Sequence, residues 1–561
     1  MKSSILEQKI AASLKEATRS ALGELADELD EIPMEVPKSA QHGELASSLA
    51  MKLAKKARTA PRVLAQKVTE RFAAAAGSQG IAEWVDRAEV AGAGFINVHL
   101  SGRALQSVVP EILADPQGYG RGEAGRGRRA LVEFVSANPT GPLTVAHGRQ
   151  AALGDSLVRI LRFSGYEVAS EYYNNDVGVQ IEALGASLLA RSREAVGLEA
   201  RFPENGYQGE YLKVIAEKML EERGRDWLND EVTAREQASD YARTHIMEMI
   251  RRDLDDFGVG FDRFFSQETL MQSGAVEEAL TALKAKGSVY EKEGAVWLGS
   301  TAYGDDKDRV IVKSDKNYTY LMPDIAYHRD KFERGFDLLV DILGPDHHGY
   351  IARLKASQAA LGNDPGKIHV LIAQLVTLYE GEKQLRMSTR AGEFITLREL
   401  VDEVGCDAAR FFYLMRKSDS HLDFDLELAK RQSADNPVFY IQYVHARITS
   451  IQTTAKENGI ETDAAVAADL ETLGEPEEIS LLRSLRLYPR AACGAAELLD
   501  PHLVVEYLND LAACFHQFYQ KHRVLGDDPR LVRARLLLIG AVKQVIRSGL
   551  HLLGVSAPEK M

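Results

Sequence analysis

The sequence predicts an α/β protein: a doubly wound, Rossmann-like parallel sheet at the centre, a small α/β unit before it and an α-helical bundle after it. Three observations carry that expectation. The chain has 561 residues, too many for one ordinary domain at roughly 100–200 residues each. Residues 130–173 read as strand, turn-rich loop, helix and strand, the building unit of a parallel sheet. From residue 395 onward almost every segment has helical periodicity.

In chain order, Ser4 and Glu7 form a capping-box pattern, and Ile10, Leu14, Ala17, Ala21 and Leu25 then recur at helical spacing. Residues 44–58 and 61–72 read as helices, the second opening on Pro61 at a first-turn position. Residues 90–100 (VAGAGFINVHL) read as a strand entered through glycines, which completes a first domain over 1–112. A Gly/Arg-rich link follows, 115–129 (DPQGYGRGEAGRGRR). Its Gly120-x-Gly122-x-x-Gly125 matches the dinucleotide fingerprint in form, but that fingerprint works only between a strand and a helix, and here a strand follows. A flexible linker is the expectation.

The central domain spans 128–400. It opens with a buried strand at 130–136 (ALVEFVS), a loop at 137–146 with two prolines and a glycine, a helix at 147–164 and a strand at 166–173. The alternation resumes at 309–313, 336–343 and 368–378, and 182–305 reads as a mostly helical, acidic insertion. Residues 401–561 form the bundle, through stretches such as DAARFFYLM and YIQYVHARITSIQ. No internal repeat is present.

Composition narrows the class. The chain is 45% hydrophobic and 27% charged, with a net charge of −14. That excludes a wholly basic nucleic-acid binder, although a cationic face can sit on an acidic body. Cys406, Cys493 and Cys514 are scattered and lack a CxxC pair, so buried free thiols in a reducing cytoplasm are expected instead of a disulfide framework or zinc site. The N-terminus reads as an amphipathic helix and not as a signal peptide, and no run of about 18 apolar residues suggests a membrane span.

Two segments could carry chemistry. The turn after residue 136 delivers His147, Gly148 and Arg149 to the start of a helix. Unpaired N–H groups and the helix dipole suit phosphate there, and a histidine can donate to a phosphoryl oxygen as charge builds. Open parallel sheets also bind ligands just beyond their strand C-termini. A second, basic loop carries Lys383, Arg386, Ser388 and Arg390, which could clamp a pyrophosphate. Asp346, His347 and His348 could be read as metal ligands, but no further ligand falls at a supporting spacing. No protein metal site is expected.

LTVAHGR resembles the HIGH-type signature of class I aminoacyl-tRNA synthetases, and RMSTR resembles their KMSKS loop. The longer strings EFVSANPTGPLTVAHGRQAALGD, YYNNDVGVQI, YTYLMPDIAYHRDKF, RMSTRAGEFITLRELVDEVGCDAARFFYLMRKSDSHLDFDL, NPVFYIQYVHARI and GLHLLGVSAPEKM resemble, in order, the arginyl-tRNA synthetase family. HGELASSLAMKLAK and AGAGFINVHL resemble that family's additional N-terminal domain. The likeness spans nearly the whole chain and is weakest in 182–305. The signatures depart from the usual pattern: Thr144 and Ala146 stand where His and Gly are usual, and Arg386 and Thr389 replace two lysines. Gly141 stands where some members carry a compensating lysine.

The resemblance implies a class I catalytic domain that activates arginine with ATP, accompanied by Mg²⁺ on the phosphates, and transfers it to the 2′-hydroxyl of the terminal adenosine of arginine tRNA. Members typically need bound tRNA before activating arginine. Thr144, His147, Arg386, Ser388 and Arg390 take the catalytic positions. Arginine falls to Glu133, Ser136, Asn138, Tyr320, Asp324 and Asp346; a guanidinium wants a carboxylate fork and an aromatic face. Asp324, after Pro323, could instead be a helix cap. ATP falls to Thr144, His147, Gly148, His347, His348 and Met387. Phe95 and Asn97 would read an unpaired base at the tRNA elbow, the N-terminal domain's role, with Gly92 at a sometimes polar position. Tyr440, Tyr443, His445 and Arg447 would serve the anticodon on the helical domain, although aromatics at helical spacing also build cores. A cytoplasmic monomer is expected. The rivals are another class I synthetase, such as the cysteine enzyme, and a catalytically weak paralogue that binds tRNA as a regulatory protein.

Overall fold

The fold, taken from a computed structural model, is described for residues 5–37, 39–385, 395–460 and 467–561; of Ile5, Ala40, His348, Ala467 and Ala468 only the backbone is described. In the N-terminal domain, α1 (Ile5–Leu22) buries Ile10, Leu14 and Ala17, as their spacing requires. Strands β1 (Met34–Glu35), β2 (Leu45–Ser47), β3 (Val85–Ala91) and β4 (Phe95–Leu100) form an antiparallel sheet in the order β1-β2-β4-β3. Helices α2 (Leu49–Ala57) and α3 (Pro61–Ser78) pack on it. Two expectations are corrected. Residues 45–47 are strand and not helix, and the glycines at 92 and 94 are the tip of a β3–β4 hairpin. A Cβ on Gly94 would stand 2.8 Å from the Pro61 backbone, and its φ is +134°, so this tip needs glycine.

Helices α4 (Gly102–Gln106) and α5 (Val108–Ala114) lead into the Gly/Arg-rich link. The link is docked, contrary to the expectation of a flexible linker. Tyr119 is buried and donates to the Leu485 carbonyl at 2.9 Å. A Cβ on Gly120 would lie 2.8 Å from the Tyr488 ring, and one on Gly125 2.1 Å from Tyr166. The glycines serve close packing.

The central domain runs β5 (Arg129–Glu133), α6 (Val145–Phe163), β6 (Glu167–Asn174), α7 (Val179–Ala195), α8 (Glu210–Arg223), α9 (Glu231–Asp256) and β7 (Arg263–Ser266). It continues α10 (Gln267–Gln272), α11 (Ala275–Ala285), β8 (Val289–Lys292), β9 (Ala295–Leu298), β10 (Arg309–Val312), α12 (Leu321–Glu333), β11 (Leu338–Leu343), α13 (Ile351–Ala360) and β12 (Ile368–Ile372). Five strands form a wholly parallel sheet in the order β12-β11-β5-β6-β7. β5 and β11 are buried almost throughout, because helices cover both faces. Chain direction across the sheet reverses between β5 and β11, the place where such sheets bind ligands.

Two central strands fall elsewhere than expected. The segment 182–305 is helical through α9, but it also supplies β7 to the parallel sheet and the β8–β9 hairpin. Residues 309–312 belong to a separate antiparallel sheet, β10-β9-β8. A strand this short, with only Val310, Ile311 and Val312 apolar, does not reveal which sheet it joins.

β13 (Val376–Glu380) pairs with β14 (Lys383–Gln384) and, in parallel, with β15 (Leu422–Asp425). Residues 368–378 are thus two strands in two sheets, and the stretch after 401 is not all helix. Helices α14 (Leu397–Val404), α15 (Cys406–Leu414), α16 (Leu426–Lys430), α17 (Pro437–Glu457), α18 (Ala467–Leu470), α19 (Pro476–Glu497), α20 (His502–Lys521) and α21 (Pro529–Leu552) make the rest. The three cysteines are free; Cys493 is buried and the other two are partly exposed, a correction to their expected burial. No described helix is long and apolar enough to cross a membrane.

Candidate active site

A cleft of about 590 Å³ opens beyond the C-terminal ends of β5 and β11, at the sheet's switch point. Its walls come from residues 133–138 at the end of β5, 341–347 at the end of β11, the first turns of α12 and α13, His147 and Gln150 of α6, and Tyr173, Asn175 and Gln267. Val135 and Ser136 hold φ of +67° and +40°, a left-handed backbone costing about 1–3 kcal/mol per non-glycine residue. Ser136 is pinned there: its hydroxyl donates to Glu133 at 2.9 Å and accepts the Tyr173 N–H at 3.1 Å.

The floor of the cleft is a buried charge network. Glu133 and Asp341 lie directly opposite each other on adjacent strands, an arrangement that repels unless a cation intervenes. Lys331, fully buried, reaches Glu133 at 2.5 Å and Asp341 at 2.6 Å. His328 Nε2 lies 3.0 Å from the other Asp341 oxygen. Burial alone would raise the Asp341 pKa, but Lys331 and His328 pull it well below the usual carboxylate range. Beside them Glu171 receives Arg334 at 2.7 and 2.9 Å and the Tyr327 hydroxyl at 2.7 Å.

Asp324 differs. It lines the cleft one helical turn beyond Tyr320, and among the described residues its carboxylate is held only by the Tyr350 hydroxyl. Burial raises its pKa, more than the Tyr350 hydrogen bond lowers it. It is a carboxylate in want of a cation, and it caps no helix. Tyr320, 81% exposed, stands at the rim above it.

At the far side His147 begins α6. Its Nδ1 accepts the Thr144 backbone N–H at 3.1 Å. Burial pushes its pKa down to about 4, so at neutral pH the ring is uncharged and keeps its proton on Nε2. Below pH ~6.5 the unfolded chain takes up a proton that folded His147 refuses, so this residue's contribution to stability falls as pH drops from about 6.5 towards 4.

The remaining expected residues divide. Glu133, Ser136, Asn138, Tyr320, Asp324, His147, Asp346 and His347 all line the cleft, Asp346 and His347 at its exposed edge. Asn138 donates to Gln180 at 2.7 Å. Thr144 is the N-cap of α6, paired across to Thr396, and is not part of the lining. Gly148 faces away: a Cβ there would come within 2.7 Å of both Leu397 and the Tyr413 hydroxyl. Gly148→Ala is therefore expected to destabilise the fold by about 1–3 kcal/mol through overpacking, measured by urea unfolding; an unchanged midpoint would show that the packing yields. Arg149, fully buried, turns from the cleft to hold the carbonyls of Gln374, Lys417 and Ser420, each at 2.8 Å. Arg386, Met387, Ser388 and Arg390 lie outside the described residues, as does the His348 side chain.

Of the expected RNA contacts, Phe95 is half-buried but Asn97 is 2% exposed, its Nδ2 without a partner among the described residues. His445 is likewise 2% exposed and bonded to the Pro558 carbonyl at 2.9 Å. Both side chains are thus enclosed in the free chain. Tyr440 stacks on His516 at 4.1 Å, with Tyr443 exposed beyond. Arg447 donates to Tyr519 at 2.7 Å. Lys331, His328, Asp341 and Tyr350 were not singled out by sequence. Among the described residues no group of three or more His, Cys, Asp or Glu side chains could hold a metal ion.

Comparison with known proteins agrees with this geometry. Residues 4–100 match the arginyl tRNA synthetase N terminal domain, 108–434 the catalytic domain of the class I (R) tRNA synthetases, and 441–561 the DALR anticodon binding domain. The chain is 46% identical over 559 residues to an arginine–tRNA ligase of Moorella thermoacetica, covering 99% of each chain. It is 47% identical to one of Desulfosudis oleivorans, covering 99% of this chain and all of that one. The arginyl-tRNA synthetase of Thermus thermophilus shares the fold with a TM-score of 0.75 at 22% identity, each chain covered in full. With family models matched along nearly the whole chain and relatives 46–47% identical over almost all of it, the chain belongs to the class I arginyl-tRNA synthetase family.

Proposed function

We propose that the cleft activates L-arginine with ATP and passes it to the 2′-hydroxyl of the terminal adenosine of arginine tRNA. The observation that carries this is Asp324, an enclosed carboxylate without a cationic partner among the described residues. A guanidinium is the cation it fits, with Tyr320 as its lid and Asn138 and Ser136 near the amino-acid end. Glu133 is occupied by Lys331, so it shapes the floor and supplies negative potential while Asp324 takes the charge.

The arginine carboxylate attacks the α-phosphate in line and pyrophosphate leaves. His147 Nε2–H, aimed into the cleft from the start of α6, donates to phosphoryl oxygen as charge grows. Mg²⁺ arrives on the ATP phosphates. Asp346 and His347 edge the adenosine end, and residues 386–390 supply the remaining phosphate contacts. Among the described residues that flank them, Leu397 donates its N–H to the Leu143 carbonyl at 2.8 Å, beside the signature. Phe95 meets the tRNA elbow, and the Tyr440–His516–Tyr443 stack meets the anticodon. The cleft and the complete set of domains weigh against a tRNA-binding paralogue without activity. The same reading has the chain work as a cytoplasmic monomer; a solution mass twice its 61.9 kDa would contradict that.

Charging assays test the proposal: ATP-dependent formation of arginyl-tRNA is expected, and failure to charge cognate tRNA would refute it. His147→Asn is expected to lower kcat by about 10²–10³-fold with little change in KM for arginine, as loss of a transition-state donor does. Equal kcat in steady-state charging would remove His147 from the chemistry.

A further inference from the structure

α6 carries His147 near one end and Arg159 and Arg162 near the other, about 18 Å further along the axis at 1.5 Å per residue. A second cavity, of about 640 Å³, opens at that far end, between α6, the docked link and the last turns of α21. Each of the three elements brings a guanidinium: Arg121 from the link, Arg159 and Arg162 from α6, and Arg547 from α21, with His551 beside it, its pKa lowered chiefly by burial. One carboxylate lines it, Asp155, and that is already neutralised by Arg159 at 2.8 Å and by the buried guanidinium of Arg410.

Arg162 is partly engaged, by the Val168 carbonyl at 3.0 Å and Asp262 at 3.1 Å. Arg121 and Arg547 are exposed and have no ion-pair partner among the described residues. The Gln544 amide faces the same cavity, its oxygen buried and without a partner; turned about, the amide offers two donors instead. In a chain whose net charge is −14, guanidiniums converging on one cavity from three elements are not background. Guanidinium forks match phosphate oxygens in geometry as well as charge, and the cavity falls within the roughly 300–1,000 Å³ of ordinary ligand sites.

We propose that this cavity is a second anion site, which takes two or three linked phosphates and thereby clamps the C-terminal helical domain and the link onto the catalytic domain. It also gives the link's Arg121 a role that the dinucleotide-fingerprint reading did not. The phosphates come either from a free polyphosphate compound or from a phosphodiester backbone.

The test uses the full chain and an Arg121→Ser/Arg547→Ser double variant. Both side chains are exposed, and an unchanged melting temperature confirms that the variant folds. Inorganic tripolyphosphate is titrated into each by calorimetry; the difference between the two isolates this cavity from any phosphate bound beside His147. In the second arm, tRNA affinity is followed against salt concentration. At least 10-fold weaker tripolyphosphate binding in the variant, with tRNA binding unchanged, supports the site and assigns it to a free polyphosphate. Weaker tRNA binding with a log–log salt slope reduced by roughly 1.4–1.8, at about 0.7–0.9 for each of two phosphate contacts, supports the site and assigns it to the RNA. An Arg121→Lys/Arg547→Lys variant should retain part of whichever effect is seen. Equal behaviour of wild type and the serine variant in both arms overturns the proposal. Neither arm reads arginine activation and the tripolyphosphate arm needs no tRNA, so failure of the site and failure of the function proposed above are distinguishable.

Discussion

Asp324→Ala is expected to raise the KM for arginine by roughly 10²–10³-fold, the equivalent of removing one partner of an enclosed ion pair at about 3–5 kcal/mol. The reason lies in the free protein. Among the described residues Asp324 has only the Tyr350 hydroxyl to hold its carboxylate, and burial raises its pKa. The substrate's guanidinium therefore meets a carboxylate with no ion-pair partner among the described residues, only partly offset at longer range by His328 and Lys331. Stability of the free chain should not suffer, because removing a buried carboxylate without a counter-ion relieves a desolvation cost. The pH dependence follows from the same shift. Arginine KM in the wild type should rise on acidification as Asp324 is protonated, beginning at higher pH than an ordinary carboxylate would give. Steady-state charging and urea unfolding read both halves. An unchanged KM would remove Asp324 from the arginine site.

Lys331→Met should have the opposite profile: severe loss of stability, of about 3–5 kcal/mol, since it leaves two buried carboxylates facing each other. Glu133 and Asp341 are strand neighbours, and Lys331 bridges them at 2.5 and 2.6 Å. The sign follows from Asp341. Its folded-state pKa is depressed, so its contribution is present above the unfolded value of about 3.9 and lost as pH falls through the folded one. In the methionine variant Lys331's share of that depression is gone and only that of His328 remains, so the deficit against wild type should be largest near neutral pH and shrink in acid. Denaturant unfolding at pH 7 and pH 4 measures it. Equal stability at pH 7 would show that the two carboxylates share a proton without cost.

The contrast between these residues explains how much was legible in the sequence. β5, α6 and β6 read correctly because a buried strand, a Pro/Gly turn and a helix leave local signals, and they fix where His147 stands. Asp324 was legible through its family string. The Lys331 network was not, because Glu133 lies 198 residues from Lys331 and meets it and Asp341 only once β5 and β11 are neighbours. β10 was placed in the wrong sheet for the same reason: a run of three apolar residues carries no information about its partner. Asn97 and His445 show the converse limit. Their residue types suit base contacts, yet the fold encloses both, and burial is a property of what packs above a residue.

Citrulline tests the central claim most directly. It has nearly the shape of arginine but carries a neutral ureido group in place of the guanidinium. Pyrophosphate exchange into ATP, with cognate tRNA present, should be driven by arginine and reduced at least 100-fold in kcat/KM with citrulline, because the latter cannot supply Asp324 with a cation. Exchange at comparable kcat/KM with both would contradict the account, since the cleft would then be reading shape and not charge.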